Sequence, residues 1–273
     1  MAIEKVVNNV QMKEFIRLPW KIYAGDKNWV PPLFMDLKMT FDRKKNPFFR
    51  HAEVELFLAR NNGKVAGRIA AIHDDNYDKF QGEKAGFFGF FEAVNDKQTV
   101  ADLVNAAAQW CKERKLNRML GPASFTSNDE YGLLIDGFDS PPMIMMPYNP
   151  QYYPELLEKA GLKKAKDLYA WKRDTGEPSE RIKSLTERIR RKDKLTIREL
   201  NMKKFKEELE IVKDIYNSAW EKNWGFVPMT DEEIDFLAEK LKPVVVAQLI
   251  HFVELEGKPV GLSLTIPDFN FIM

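Results

Sequence analysis

The sequence predicts an α/β protein in which a mixed central sheet is flanked by helices, built as tandem copies with the second copy incomplete. Two observations predict it. The pattern G-K-x-x-G-x-x-x-x-I-x-D-x-N occurs at residues 63–76 and again at residues 257–270. Strand-like apolar runs also alternate with segments of helical periodicity. Self-similarity over a long period indicates that one structural unit is repeated.

Composition limits the class of protein. Of the 273 residues, 44% are hydrophobic and 30% are charged, which is typical of a folded globular chain. The formal net charge of +1 gives no overall attraction to nucleic acid or to an anionic membrane. One cysteine and three histidines exclude an internal disulfide and a Cys/His zinc cluster, so we expect no metal. The N-terminus lacks a signal-peptide pattern, and no apolar run reaches the roughly 20 residues of a membrane helix. We therefore expect a cytoplasmic protein.

Each copy is predicted to begin with a short strand, an amphipathic helix and a proline-containing loop, followed by a β-hairpin. Gly63 and Gly257 fall in the tight turns of the two hairpins, where glycine tolerates positive φ. Gly67 and Gly261 lie inside the next strands, where a glycine marks a bulge or a close backbone approach.

The ends of the two hairpins also correspond. Asp74 and Asp268, with Asn76 and Asn270, are predicted to cap the exit turns by bonding to local backbone. The second copy has no counterpart of anything beyond Lys79 of the first copy. We therefore expect the sequence to be a fragment of a longer tandem protein, the alternative being an abbreviated half-domain.

The remainder of the first copy predicts further elements in order. These are an interior strand at 85–94, a helix at 99–114 that buries Cys111, a strand at 117–124, a long loop, a short helix at 150–162 and a last strand at 166–174. A basic helix at 181–194 follows. The predicted domains are 1–175, a linker helix at 176–194, and 195–273.

This order of elements resembles the GNAT acyltransferase superfamily. The run "NPQYYPELLEKAGLKKAKDLYAWK" is similar to the fourth-helix segment of that superfamily. The runs "NPFFRHAEVELFLA", "GFFGFFE" and "GPASFTSNDEYGLLIDGFDSPP" resemble a family of bacterial two-domain GNAT-like proteins. The resemblance implies N-acyl transfer from acetyl-CoA or another acyl-CoA to a small-molecule or peptide amine, with no membrane partner.

The resemblance also implies where the cofactor binds. In GNAT enzymes the central strand opens away from its neighbour to pair with pantetheine, and a Q/R-x-x-G-x-G/A turn holds the pyrophosphate at a helix N-terminus. The aligned cofactor-binding residues here are Val94, Thr99, Val100 and Ala101. Only Ala101 fits the turn, because Asp96 replaces the basic or amide residue and Thr99 replaces the glycine. Asp96 is a good N-cap, so a capped helix behind a structural strand is the alternative.

Catalytic candidates follow from the same resemblance. Glu92 interrupts the apolar strand where GNAT enzymes often place a general base, and an apolar wall raises the pKa of a carboxyl toward that task. The family's acid tyrosine is replaced by Leu157 here, so Tyr153, with Tyr152 beside it, is the substitute one turn earlier. The alternatives are that Glu92 is the polar end of a buried strand and that the tyrosines only pack.

The long loop supplies the substrate candidates. Asn128, Glu130 and Tyr148, with Asp136, are predicted to contact the acceptor, because long loops in compact domains often bind ligands.

Two rival functions stay open. An aminoacyl-tRNA-dependent, Fem-like transferase would bind tRNA through the basic residues of the linker helix, which are Arg188, Arg190, Arg191, Lys192 and Lys194. A run of this kind is also typical of a solvated face. The other rival is a non-catalytic binding protein with a degenerate cofactor site.

Overall fold

The computed structural model describes residues 1–174, 176–192 and 195–271 and contains two compact units. The first unit comprises Met1–Asp167, Asn223–Pro228 and Asp268–Met273; the second comprises Leu168–Lys222 and Met229–Pro267. The domain boundaries given above remain a prediction. Each unit is described by itself.

A five-stranded mixed sheet forms the centre of the first unit. Its strands are β1 (Ala2–Lys5), β2 (Ala52–Asn61), β3 (Lys64–Asp74), β4 (Ala85–Ala93) and β5 (Arg118–Leu120), in that spatial order. The first four pair antiparallel, whereas β4 and β5 pair parallel. A two-stranded ribbon, β6 (Ala123–Ser124) and β7 (Glu130–Tyr131), follows β5.

Helices cover both faces of this sheet. They are α1 (Asn9–Ile22), α2 (Phe34–Thr40), α3 (Asp75–Gln81), α4 (Lys97–Glu113) and α5 (Tyr153–Lys159). Side chains alternate between the faces of a strand. Accordingly Leu56 and Leu58 of β2 pack with Phe15 of α1, whereas Phe57 and Ala59 join the core under α4 and α5. The predicted fold class, a mixed sheet flanked by helices, is confirmed.

The second unit contains α6 (Glu180–Lys192), α7 (Phe205–Trp220) and α8 (Asp231–Leu241). Its three-stranded antiparallel sheet has the order β8 (Leu195–Glu199), β9 (Ile250–Leu255), β10 (Lys258–Leu264). Thr230 begins α8 with a capping box shared with Glu233, which satisfies free amides of the first turn.

The strand register of the second sheet repeats that of the first at an offset of 194 positions. Ile3 pairs with Ala59 in one sheet, and Ile197 pairs with Val253 in the other. Both hairpins have a register shift near the start of their second strand, at equivalent places.

The predicted turn glycines are confirmed. Gly63 has φ 77° and Gly257 has φ 79°, and each follows a residue that also has positive φ. The predicted caps are confirmed as well: Asp74 accepts from Asn76 N at 2.9 Å, and Asp268 accepts from Asn270 N at 3.2 Å.

An ion triad that the sequence did not reveal joins strands and helix in both units. In the first unit Arg60 binds Glu4 at 2.7 Å and Glu14 at 2.5 Å. In the second unit Arg198 binds Glu254 at 2.6 Å and Glu208 at 2.8 Å. At the offset of 194, Arg198 corresponds to Glu4 and Glu254 to Arg60. The arginine and the glutamate have therefore changed places between the two paired strands. The helix keeps a glutamate at the equivalent position in both units, Glu14 and Glu208.

One sequence prediction about strands was wrong, and another was only partly correct. Residues 166–174 form neither strand nor helix, and Tyr169 and Trp171 there are 77% and 91% exposed. A strand needs a neighbouring strand, and no strand of the described chain pairs with this segment. The strand predicted at 117–124 is interrupted at Gly121, whose φ is 149°, so that only Arg118–Leu120 pairs with β4. Lys194, predicted to end the basic helix, lies outside the described residues, as do Thr175 and Asp193.

Because the two triads place the arginine on different strands, a single and a double charge reversal in the first unit should differ in their effect on stability. Arg60→Glu brings three carboxylates together and should cost about 1–2 kcal/mol of unfolding free energy, because a networked pair is worth more than an isolated surface pair. The double variant Glu4→Arg/Arg60→Glu reproduces the second unit's arrangement and should recover most of that loss, as measured by calorimetric unfolding.

The control is Lys5→Glu, which breaks the exposed pair with Glu55. It should cost less than about 0.5 kcal/mol. A double variant as unstable as Arg60→Glu alone would contradict the equivalence of the two triads.

Candidate active site

A β-bulge in β4 shapes the candidate site. Arg68 of β3 pairs with Glu92, but Ala70 pairs with Gly89, so Phe90 and Phe91 together lie opposite Ile69. Phe90 accommodates the extra residue with φ 46°. Left-handed backbone at a large side chain is uncommon and marks a position where a bulge bends the strand.

The bulge reverses which face each later residue of β4 occupies. Phe87 packs into the core on the α1 side, whereas Phe91 and Ala93 pack on the α4 side. Regular alternation would have put all three on one face. Because of the extra residue, Glu92 is redirected toward the α1 side, where Arg68 also lies.

Glu92 is held by a buried polar cluster. Its Oε2 accepts a hydrogen bond from the Tyr153 hydroxyl at 2.7 Å, and its Oε1 lies 3.8 Å from Nη2 of Arg68. Tyr23, which follows α1, lies in the same cluster, and its hydroxyl donates to the Tyr148 carbonyl at 3.3 Å. The Glu92 side chain is only 13% exposed. Burial raises the pKa of Glu92, while Arg68 and the two tyrosines oppose that rise.

Arg68 ties this carboxylate to α1. Its Nη1 donates to the carbonyl of Phe15 at 2.7 Å, and its guanidinium lies 4.9 Å from the centre of the Phe15 ring. The side chain is 7% exposed, and no acceptor in the described part of the chain reaches its Nε. The equivalent position in the second unit is Leu262, so this charge is not repeated there.

The free edge of β4 lies beside the cluster. Pairing with β5 ends where Phe87 meets Leu120, so the later residues of β4 have left that neighbour. At Ala93 two tyrosines of the α5 segment occupy the open edge. Ala93 N–H donates to the Tyr153 hydroxyl, and the Tyr152 hydroxyl donates to the Ala93 carbonyl, both at 2.8 Å.

The Tyr153 hydroxyl therefore donates one hydrogen bond, to Glu92, and accepts another, from Ala93 N–H. Burial raises its pKa well above the ordinary value, and the neighbouring Glu92 adds to that rise. The phenol stays protonated and directs its proton at Glu92. The sequence paired Glu92 and Tyr153 as catalytic candidates, and the structure brings them into direct contact.

The N-terminus of α4 is closed by its own cap. Asp96 accepts from Thr99 N at 2.8 Å and from Thr99 Oγ1 at 2.6 Å, and these bonds lower the pKa of Asp96. Val100 N donates to the Asp96 carbonyl at 3.2 Å. The predicted N-cap is confirmed, and the amides of two predicted cofactor residues, Thr99 and Val100, are already bonded within the helix.

The other two predicted cofactor residues differ in exposure. Val94 is exposed, but its N–H donates to Ala66 of β3 at 2.9 Å. Ala101 is half-buried in the second turn of α4. The amides of Lys97 and Gln98 complete the first turn, and helix geometry leaves them without an intrahelical acceptor. They are the groups at this terminus that could face a phosphate.

Three of the predicted substrate contacts have structural partners. Asn128 donates from its amide to the carbonyl of Val227 at 3.0 Å. The Tyr148 hydroxyl donates to Asp26 at 2.9 Å. Asp136 bonds to the amide of the following Gly137. These side chains order the loop, and the structure does not bring them to Glu92.

Glu130 is the loop residue that the structure does bring to the cluster. It is exposed to solvent, yet the protein around it desolvates the carboxyl and raises its pKa to about 7, with further contributions from the charges of Asp129 and Glu92. Arg68 acts in the opposite direction.

Sequence reasoning missed Arg68 and Tyr23. Arg68 had a signal, because it is the single charged residue within the apolar run "VAGRIAAI". A charge inside a buried strand requires a partner. Tyr23 had no distinguishing signal, since it follows a helix as one of several aromatic residues.

Cys111 is buried on α4, as predicted, and burial raises the pKa of its thiol to about 11.

Within residues 1–174, 176–192 and 195–271, no group of His, Cys, Asp and Glu side chains is arranged to hold a metal ion. No helix in these ranges is both long and apolar enough to cross a membrane.

The mixed sheet, the bulged interior strand and the opening beside a buried carboxylate define an α/β domain of the class that the sequence predicts. The chain is 36% identical to Protein YghO from Escherichia coli (strain K12) over 270 residues, which is 98% of this chain and 68% of that protein. It is 37% identical over 274 aligned positions to Bacterial ceramide synthase from Caulobacter vibrioides, covering 99% of this chain and 71% of the relative. The chain belongs to the family of these two proteins.

No protein-family model matches the chain. Similar solved structures include an aminoglycoside acetyltransferase from an uncultured soil metagenomic sample in complex with sisomicin, 14% identical with a TM-score of 0.40, covering 64% of this chain and 96% of that one. Ribosomal-protein-alanine N-acetyltransferase from Brucella melitensis biovar Abortus is 16% identical with a TM-score of 0.38, covering 65% and 100%.

The double engagement of Tyr153 gives a stability prediction. Tyr153→Phe removes the donor to Glu92 and the acceptor for Ala93 N–H, both buried, and should cost about 1–3 kcal/mol of unfolding free energy. Tyr152→Phe is the matched control. It removes one hydroxyl that is only half-buried and should cost less than about 1 kcal/mol. Equal losses in urea unfolding would show that Tyr153 is not the support of the cluster.

Proposed function

We propose that the chain transfers an acyl group from an acyl-CoA to the amine of a long-chain amino alcohol. One observation carries the proposal: Glu92 is buried beside the open edge of β4 and held there by Arg68 and Tyr153. A carboxyl whose pKa is raised by burial suits the removal of a proton from an amine.

The reaction uses few groups. The amine nitrogen attacks the thioester carbonyl, a C–N bond forms, the C–S bond breaks, and CoA leaves as a thiolate that takes a proton from solvent. The proton given up by the amine goes to a carboxylate, which Glu92 provides in this proposal. Tyr153 positions Glu92. Its hydroxyl points at that carboxylate inside the core, so we do not assign it the protonation of the leaving thiolate.

The substrate class is supported by the relative named as a ceramide synthase. A ceramide is an amide of a fatty acyl group and a long-chain amino alcohol. A row of aromatic rings suited to an alkyl chain leads away from the cluster. Tyr23 stacks on Trp29 at 4.8 Å, Trp29 meets Trp20 at 5.4 Å, and Trp20 stacks on the exposed Phe34 at 4.4 Å. Burial of each methylene of a bound chain would contribute about 0.8 kcal/mol.

The proposal predicts amide formation from palmitoyl-CoA and sphinganine, detected by mass spectrometry. Glu92→Gln should lower kcat by about 10²-fold or more, the range observed for loss of a general base. The control is Glu113→Gln, on the exposed end of α4, which should leave the rate unchanged. Saturable acyl-CoA binding without turnover of any amine would instead support the non-catalytic alternative.

A second prediction concerns the N-terminus of α4. Asp96→Asn keeps the acceptor for Thr99 but removes a negative charge next to the amides of Lys97 and Gln98. If the CoA phosphates lie there, affinity for palmitoyl-CoA should rise roughly two- to fivefold, which corresponds to about 0.5–1 kcal/mol at a helix terminus. The measurement is calorimetric titration, with Asp102→Asn in the second turn of α4 as the control. Equal affinities for the Asp96→Asn variant and the unaltered protein would place the phosphates elsewhere.

A further inference from the structure

We propose that Glu130 is a second carboxyl of the active site, which binds the ammonium group of the acceptor and takes the proton that this group must lose before attack. The inference rests on the proposed function and deepens it. It assigns to Glu130 the proton that the ammonium loses before attack, and it leaves to Glu92 the proton that the nitrogen loses once the C–N bond forms.

The fold places Glu130 next to the bulge. Its strand β7 pairs with β6, with Glu130 opposite Ser124. Strand β6 lies directly against β4, since a Cβ on Gly89 would come within 1.6 Å of the Ala123 carbonyl oxygen. Gly89 is the last residue of β4 before the bulge that redirects Glu92. The pairing of β7 with β6 and the contact of β6 with Gly89 therefore connect Glu130 to the residues around the bulge.

The charges around Glu130 favour a cation. The charged groups that face it are Asp129 in its own turn, Glu92 on β4 and Arg68 on β3. Asp129 is held by the loop, where its carboxylate accepts from Phe125 N at 3.0 Å. Arg68 can compensate only one of the two carboxylates, Glu92 and Glu130. When both are ionised the cluster has an unbalanced negative charge, and an ammonium ion would neutralise it.

Access distinguishes the two carboxyls. Glu92 is enclosed and already accepts from Tyr153, whereas Glu130 is exposed to solvent. A substrate ammonium would meet Glu130 first. There an N–H bond of the ammonium breaks and an O–H bond forms on the carboxylate. The free amine then attacks the thioester, and the proton passes from Glu130 to solvent.

The surroundings suit this role at neutral pH. The pKa of Glu130 is raised to about 7, so its carboxylate form predominates above that pH and the protonated form below it. A proton acceptor with a pKa near the working pH combines the correct ionisation state with a sufficient driving force.

The test is the pH dependence of amide formation from palmitoyl-CoA and sphinganine by the full chain. In the unaltered protein kcat/KM for the amine should fall as the pH drops below about 7. Glu130→Gln should lower kcat/KM for the amine at least tenfold, flatten that fall, and leave KM for palmitoyl-CoA unchanged. Glu130→Asp should restore part of the rate together with the pH dependence, whereas Glu113→Gln should match the unaltered protein throughout. A purely structural role would not move the pH profile.

Binding of a water-soluble short-chain 2-amino-1,3-diol, measured by calorimetry, provides a readout independent of turnover. The expected result is affinity that weakens severalfold in Glu130→Gln while the unfolding temperature is unchanged. If the unaltered protein transfers acyl groups but Glu130→Gln equals it in amine affinity and pH profile, this inference is wrong and the proposed function stands. If the unaltered protein neither binds nor acylates an amine, both are wrong.

Discussion

The candidate site depends on one extra residue in β4. Without the bulge at Phe90, Glu92 would continue the regular alternation and point into the apolar core under α4. With it, the carboxylate meets Arg68, and Arg68 in turn bonds to the Phe15 carbonyl of α1. A buried ion costs several kcal/mol of desolvation unless partners surround it. The bulge thus allows Glu92 and Arg68 to be buried together in one core. The hydrogen bond from Arg68 to Phe15 also orients α1 against the sheet.

Local features of this arrangement could be predicted from the sequence, and nonlocal ones could not. The hairpin turns, the Asp96 cap and the exit-turn caps at Asp74 and Asp268 were predicted because each depends on a few neighbouring residues. Glu92 and Tyr153 were nominated separately, but their contact depends on how α5 meets the edge of β4. The bulge could not be predicted from the sequence, since a register shift depends on how two strands pair. The strand predicted at 166–174 failed for the same reason: an apolar, β-prone run pairs only where another strand is available.

The two units show which constraints belong to the framework and which to the chemistry. Strand register, turn conformation and exit-turn caps recur at the same offset, and the ion triad recurs with its cross-strand charges exchanged. Such an exchange preserves the interaction, because attraction depends on the product of the charges. Arg68 is not preserved in this way, since Leu262 occupies its place and joins the apolar core of the second unit. The sheet framework is common to both units, whereas the buried charge that organises Glu92 belongs to the first.

The same geometry constrains how a CoA thioester could be held. Asp96 and its carbonyl already occupy the amides of Thr99 and Val100, and two tyrosines occupy both backbone groups of Ala93. The backbone donors and acceptors available to pantetheine and pyrophosphate are therefore few. In the proposed reaction, binding free energy must then come largely from apolar contact with the acyl chain. At about 0.8 kcal/mol per buried methylene, even half of a palmitoyl chain contributes more than the lost phosphate contacts, whereas an acetyl group contributes almost nothing. In the proposed reaction a closed phosphate turn therefore favours long-chain donors, which is the donor chemistry that an N-acyl amino alcohol requires.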